Sequence, residues 1–279
     1  MDNELLEKYM KLREFIQENG KDGVVIAFSG GVDSSTLAAV SHDVLGDKAM
    51  AVSGKSSTYP IEELEEAKCI AETIGIEHVV IETHETENET FLSNTENRCY
   101  YCKGELLDVL LDIARERGFK AVFEGTNASD LLGHRPGFAA IKERDSVFSP
   151  FVEAGITKAE IREIAKELGL EFYDKPASPC LASRIPFGER ITSERLERID
   201  AAEKFLKTET GIQELRVRDH GNLARIEVPK DDLAKLMDTE IMDKIVARFK
   251  EIGYVYITLD LEGFRSGSML ESLAKEREI

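Results

Sequence analysis

The chain reads as an α/β protein, a doubly wound parallel sheet joined to a second, smaller α+β domain. Three observations predict this. Continuous apolar runs alternate with helical periodicities over the first two-thirds of the sequence, a Gly-Gly turn links the first run directly to a helix, and a proline-rich segment then ends the alternation. Strands and helices alternating in this way are βαβ units, whose helices cover both faces of one sheet.

Residues 3–19 repeat apolar positions at helical spacing (Leu5, Leu6, Tyr9, Met10, Leu12, Ile16) and stop at Asn19-Gly20. G-V-V-I-A-F follows, an apolar run suited to a strand buried on both faces. Helices expected at 34–45, 61–74 and 104–117 lead into the strands K-A-M-A-V-S, H-V-V-I-E-T and K-A-V-F-E-G, and a helix at 158–168 closes the rhythm. The segment D-K-P-A-S-P-C-L-A-S-R-I-P-F-G holds three of the seven prolines and marks the boundary, which places the domains at 1–185 and 186–279. Beyond it lie a helix at 193–207, the strands E-L-R-V-R and L-A-R-I-E-V around the turn D-H-G-N, a helix at 231–250 and a last strand Y-V-Y-I-T-L.

Composition narrows the function classes. With 279 residues, 42% hydrophobic and 32% charged, the chain can bury a sizeable core, and no apolar run approaches the roughly 20 residues that span a bilayer. The first residues are acidic and amphipathic and carry no basic, apolar leader pattern, so a cytoplasmic location is expected. Asp and Glu outnumber Lys and Arg by 54 to 36, a net charge of −18. Such a surface repels nucleic acid and favours a small-molecule substrate.

The first strand candidate runs into S-G-G-V-D-S-S, Ser29 to Ser35, and then into a helix. Gly30 and Gly31 permit positive φ and close approach of the backbone, so successive N–H groups can converge on a phosphate at the positive end of the helix. Ser29 and Ser34 add hydroxyl donors, and Asp33 suits a magnesium ion or the ordering of the loop. The turn lacks the G-K-[ST] of a Walker loop and the G-x-G-x-x-G of dinucleotide folds. It resembles the pyrophosphatase loop of the N-type ATP pyrophosphatases, which implies ATP with Mg2+ as cofactors and an adenylated substrate. E-G-T-N-A-S-D, Glu124 to Asp130, ends the fourth strand, where ligands of open α/β sheets bind. By the same resemblance Gly125 and Thr126 face the nucleotide and Asp130 stands near metal and phosphates.

Four cysteines remain, in a compartment that keeps thiols reduced. Cys99 and Cys102 form C-Y-Y-C at the start of a helix, and Cys180 lies in S-P-C-L-A-S-R. Three thiolates suit a 4Fe-4S cluster with one open iron and underfill a structural zinc site. Thiol redox chemistry and unrelated core cysteines are the alternatives. Cys69, within a helical apolar stripe, is expected to be a partly buried thiol.

Together S-G-G-V-D-S, N-R-C-Y-Y-C-K, E-G-T-N-A-S-D, S-P-C-L-A-S-R-I-P-F-G and R-V-R-D-H-G-x-x-A-R-I-E resemble the LarE family of ATP-dependent sulfur transferases over nearly the whole chain. The resemblance implies an adenine nucleotide alpha hydrolase-like fold and a role in making the nickel-pincer nucleotide cofactor of lactate racemase. There the carboxylates of pyridinium-3,5-biscarboxylic acid mononucleotide become adenylates and then thiocarboxylates. Some members have only the cysteine matching Cys180, which gives up its own sulfur and becomes dehydroalanine. The extra pair in this chain resembles the members that hold a 4Fe-4S cluster on Cys99, Cys102 and Cys180 and pass on a bound sulfide from a donor the sequence does not identify.

The substrate's phosphate needs a cationic seat. Arg216, Arg218, Arg225 and Arg265 are candidates, the first two on one strand face by their spacing of two. The family uses the positions of Arg216 and Arg218 in this way, and those of Glu203 and Glu227 for metal at subunit contacts, which implies a homo-oligomer. Arg184 and Lys175 are candidates to favour thiolate at Cys180, with Arg184 also near the nucleotide. The rivals are an iron-sulfur tRNA thiolase, which needs a basic face, an amidating synthetase, which has no use for the cysteines, and a nucleotide-sensing module, which wastes both the loop and the thiols.

Overall fold

A computed structural model describes residues 1–132, 136–176, 179–265 and 267–271. Two residues of the proline-rich segment, 177 and 178, and the last eight residues of the expected second domain therefore lie outside the description. In chain order the elements are α1 (Asn3–Gly20), β1 (Val24–Ala27), α2 (Val32–Leu45), β2 (Ala49–Lys55), α3 (Ile61–Ile74), β3 (Glu77–Glu82), α4 (Glu89–Leu92), α5 (Arg98–Glu116) and β4 (Ala121–Phe123). They continue with α6 (Gly137–Lys142), β5 (Val147–Phe148), α7 (Pro150–Glu153), α8 (Lys158–Glu167), α9 (Ser193–Thr210), β6 (Arg216–His220), β7 (Leu223–Glu227), α10 (Leu233–Leu236), α11 (Thr239–Ile252) and β8 (Tyr256–Leu259).

The chain divides into two compact units, residues 1–85 with 96–178, and residues 86–95 with 179–279. In the first, five parallel strands stand in the order β3-β2-β1-β4-β5. Side-chain alternation explains why the strands are apolar throughout. Val24 and Ile26 of β1, Ala49 and Ala51 of β2, and Ala121 and Phe123 of β4 enter the core shared with α1, α2 and α8. Val25, Met50, Val52 and Val122 enter the opposite core with Leu107 and Leu110 of α5. Both faces of the central strands are covered, and polar residues appear only at the carboxyl end of β2 (Ser53, Lys55) and on the half-exposed edge strand β3. The strand order reverses between β1 and β4, and a crevice opens outside the carboxyl ends at such a switch point. The turns after these two strands are the two motifs read from the sequence.

The second unit has its own core around α9, α11 and a three-stranded sheet in the order β6-β7-β8, with β6 antiparallel to β7 and β7 parallel to β8. Gly221 (φ +70°) turns the hairpin. The helix expected at 231–250 is two helices: the Asp238 side chain accepts from the N–H groups of Glu240 (3.0 Å) and Ile241 (3.2 Å) and starts a new one. α5 begins six residues earlier than its periodicity predicts, because the buried Arg98 anchors a first turn of weak helix formers.

Residues 86–95 belong to the second unit for a specific reason. Asn94 has φ +53° and is fully buried, and its amide donates to the carbonyls of Ile185 (3.3 Å), Pro186 (2.7 Å) and Glu189 (3.0 Å). The three bonds compensate the left-handed backbone and bind the segment before the C-x-x-C to the loop after Cys180.

Candidate active site

The turn after β1 is organised by its own hydroxyls. Ser34 Oγ accepts from the Ser29 N–H at 3.1 Å, lies 3.1 Å from Ser29 Oγ and donates to the Gly31 carbonyl at 3.2 Å. Gly31 supplies no side-chain cap to the 14-residue α2, so the N–H groups of its first turn are open to an anion. Gly30 has φ +68°, and a Cβ there would stand 2.8 Å from Ala67 Cβ of α3. Across the switch point, a Cβ on Gly125 would stand 3.1 Å from the Ser34 nitrogen, so the turn after β4 lies against the first. Ser35 is buried, and its hydroxyl has no partner among the described residues.

Four groups that the sequence reading left without a role complete the surroundings. Lys158, the first residue of α8, donates to both oxygens of Asp33 at 2.7 Å. Burial pushes the Asp33 carboxyl up and Lys158 opposes this. Glu124, buried at the end of β4, accepts from Lys103 Nζ (2.5 Å), from Thr126 Oγ1 (2.7 Å) and from Ser149 Oγ. Asp130 Oδ2 accepts from the Asn127 N–H at 3.2 Å, which closes the turn. The sequence signal for Lys103 was its place at the end of the cysteine motif. For Lys158 it was T-K-A-E, whose Thr157 and Glu160 form a capping box that orients the first turn of α8. Lys175 lies apart from the role expected of it: its ammonium donates to the Gly30 carbonyl (3.2 Å) and pairs with Glu63 and Glu66 (2.9 Å each).

The Lys158–Asp33 pair gives a testable consequence. An ammonium and a magnesium ion compete for one carboxylate. Lys158→Met is expected to bind Mn2+, a paramagnetic probe for the Mg2+ site, more tightly by titration, and to release pyrophosphate from ATP more slowly.

Cys99 is exposed and Cys102 half-buried, three residues apart on the first turn of α5 and so on one helix face. Cys180 belongs to the second unit, half-buried at the start of the 3-10 turn Leu181–Arg184. Among the described residues no three His, Cys, Asp or Glu side chains gather as a metal site. Cys69 is exposed rather than partly buried, because the core side of α3 is taken by Leu64, Ala67, Ile70 and Ala71.

In the second unit the expected arginines lie inside rather than on the surface. Arg218 is buried and donates to Glu227 Oε2 (2.9 and 2.7 Å), to the Ser183 carbonyl (3.1 Å) and to Ser268 Oγ (3.1 Å). Arg225 reaches Glu227 Oε1 at 3.0 Å. Arg216 is buried over the Phe264 ring, 5.1 Å from its centroid, and burial, aided by Arg184 and Arg218, pushes it down to about 10. It stays charged at neutral pH. Arg184 grips Glu203 through two 2.9 Å bonds. Arg265 is more exposed and meets Asp260, Glu262 and Glu271. Glu203 and Glu227 are thus each held by arginine, in a cluster buried at Arg184, Arg216 and Arg218.

The chain is similar to several known proteins. The family model described as NAD synthase matches residues 5–106, which hold the phosphate turn. An uncharacterized protein of Synechocystis is 44% identical, over 96% of this chain and 98% of its own length. The tRNA-specific 2-thiouridylase MnmA of Rickettsia peacockii is 31% identical over 56% of this chain and 52% of its own. The pyridinium-3,5-bisthiocarboxylic acid mononucleotide synthase of Lactiplantibacillus plantarum is 36% identical over 90% of each chain. A likeness of that extent, with the phosphate turn in place on a parallel sheet, makes the chain a member of the LarE family of ATP-dependent sulfur-transferring enzymes.

Proposed function

We propose that the chain adenylates the carboxylates of pyridinium-3,5-biscarboxylic acid mononucleotide and converts them to thiocarboxylates, as a cytoplasmic homo-oligomer serving nickel-pincer nucleotide biosynthesis and the maturation of lactate racemase. What supports this reading is the presence in one chain of two features suited to anions, the uncapped turn at Ser29–Ser34 and the buried arginines around Glu203 and Glu227. ATP fits the first and a mononucleotide phosphate the second. A net charge of −18 weighs against tRNA as the substrate.

A carboxylate is a poor electrophile until its oxygen becomes part of a leaving group. A substrate carboxylate oxygen attacks the α-phosphorus of ATP, the bond to the bridging oxygen breaks, and pyrophosphate leaves into the N–H groups of the turn. Asp33 would hold the Mg2+ that neutralises the departing charge, while Gly125, Thr126 and Asp130 line the other side. A sulfur nucleophile then forms the C–S bond, and AMP leaves with the electron pair of the C–O bond. Cys99, Cys102 and Cys180 would hold a 4Fe-4S cluster, which when bound supplies a sulfide at an open iron. The alternative source is Cys180 itself, whose thioester loses its Cα proton and breaks at Cβ–S to give thiocarboxylate and dehydroalanine.

Anaerobically purified protein is expected to be brown, with broad absorbance at about 400 nm, and to contain iron and acid-labile sulfide. Colourless protein with zinc or no metal would remove the cluster from this reading and leave the sacrificial source. Arg216→Ala is expected to weaken substrate binding by calorimetry and to leave ATP binding unchanged. Equal loss of both would mean a folding defect.

A further inference from the structure

The Arg184–Glu203 pair does more than fill the core of the second unit. The two side chains are 2% and 5% exposed as residues, and a buried ion pair contributes little net stability compared with apolar residues of the same volume. What the pair does fix is position. Arg184 directs Nε and one terminal nitrogen at the two oxygens of Glu203, and its other terminal nitrogen at the carbonyls of Pro179 (2.5 Å) and Cys180 (3.1 Å) and at Ser183 Oγ (3.1 Å). The guanidinium therefore clasps the turn that carries Cys180, whose carbonyl also accepts the Ser183 N–H at 3.0 Å. On the far side, Glu203 Oε1 accepts the N–H of Val217 at 2.9 Å, and Val217 stands between Arg216 and Arg218 on β6. A second tie runs back, from Arg218 to the Ser183 carbonyl at 3.1 Å. Leu181 and Ala182 are buried between the ties, so the turn has no room to shift.

We propose that Arg184 and Glu203 are positioning residues that hold Cys180 at a fixed span from the Arg216/Arg218 anion seat, so that the substrate is selected by the distance from its phosphate to its reacting carboxyl carbon. This rests on the functional reading above. Arg184 in this role acts through the Pro179 and Cys180 carbonyls. Its planar fork joins one carboxylate to two carbonyls, which an ammonium cannot do.

The test compares Arg184→Met and Arg184→Lys with the native protein. In Arg184→Met, amide exchange within residues 179–185 is expected to speed by about tenfold or more, the effect of losing charge-assisted hydrogen bonds, while exchange in the cores of both units stays as it was. The thiocarboxylate formed per pyrophosphate released should fall by about 100-fold, as for a reacting group displaced by an ångström. The decisive arm removes the phosphate from the substrate. The native protein should lose most of its thiocarboxylate yield with the dephosphorylated nucleoside, and Arg184→Met should lose little more, because the span no longer matters. Losses that add, or exchange that speeds equally throughout the protein, would overturn the proposal. Should Arg184→Met fail to fold, Arg184→Lys is read by the same criteria. If the native protein forms no thiocarboxylate at all, the functional reading has failed, and the exchange pattern alone decides whether the clasp exists.

Discussion

The Cys180→Ser protein is expected to go on releasing pyrophosphate in the presence of the substrate and to form no thiocarboxylate. Both proposed sulfur sources need this residue, one as a cluster ligand and the other as the sulfur itself, whereas the turns after β1 and β4, the proposed ATP site, belong to the other unit. A serine oxygen neither binds iron as thiolate does nor leaves sulfur behind, so the adenylate forms and then hydrolyses. The pair on α5 separates the sources. If a cluster delivers the sulfur, Cys99→Ser and Cys102→Ser lose turnover as Cys180→Ser does. If Cys180 is consumed, both variants remain active for one round, and the native protein loses the mass of one molecule of hydrogen sulfide. Thiocarboxylate formed at the native rate by Cys180→Ser would exclude both sources.

Gly30→Ala is expected to abolish pyrophosphate release without unfolding the protein. Any L residue at φ +68° costs about 1–2 kcal/mol, within the margin of an ordinary domain. The larger effect is steric. The new Cβ would meet Ala67 Cβ at 2.8 Å and Ala67 Cα at 2.9 Å, and a backbone atom of α3 has no rotamer by which to yield. The turn must move instead, carrying with it the Ser29 and Ser34 hydroxyls and the amides of α2. A displacement of about an ångström in such a cradle costs about 100-fold in rate. Native ATP turnover in Gly30→Ala, with an unchanged melting point, would show that the phosphate sits elsewhere.

Much of the first unit was legible because its strands are buried on both faces. A run such as G-V-V-I-A-F has few readings besides a central parallel strand, and the placement of S-G-G-V-D-S after it identifies the crevice. β5 escaped notice because two residues, Val147 and Phe148, carry no period. The excursion of residues 86–95 into the second unit is held by one amide, that of Asn94, on carbonyls about 90 residues away in sequence, and no local pattern encodes such a contact. The geometry of the turn at Ser29–Ser34 could be anticipated, because glycine and serine act there through the backbone. For Lys103 and Lys158 the neighbouring motifs mark the position but not the partner, since a lysine on an amphipathic helix looks the same whether it faces water or a carboxylate. Arg216 and Arg218 were recognisable as a pair by their spacing, but their burial, and the two glutamates that share it, depend on tertiary packing.

The proposed function of the chain turns on one conversion. Native protein incubated anaerobically with ATP, Mg2+, sulfide and pyridinium-3,5-biscarboxylic acid mononucleotide is expected to give AMP, pyrophosphate and a product in which sulfur has replaced carboxylate oxygen, seen by mass spectrometry. AMP and pyrophosphate formed with this nucleotide, but ammonia incorporated in place of sulfur, or no reaction with it and thiolation of tRNA instead, would contradict it.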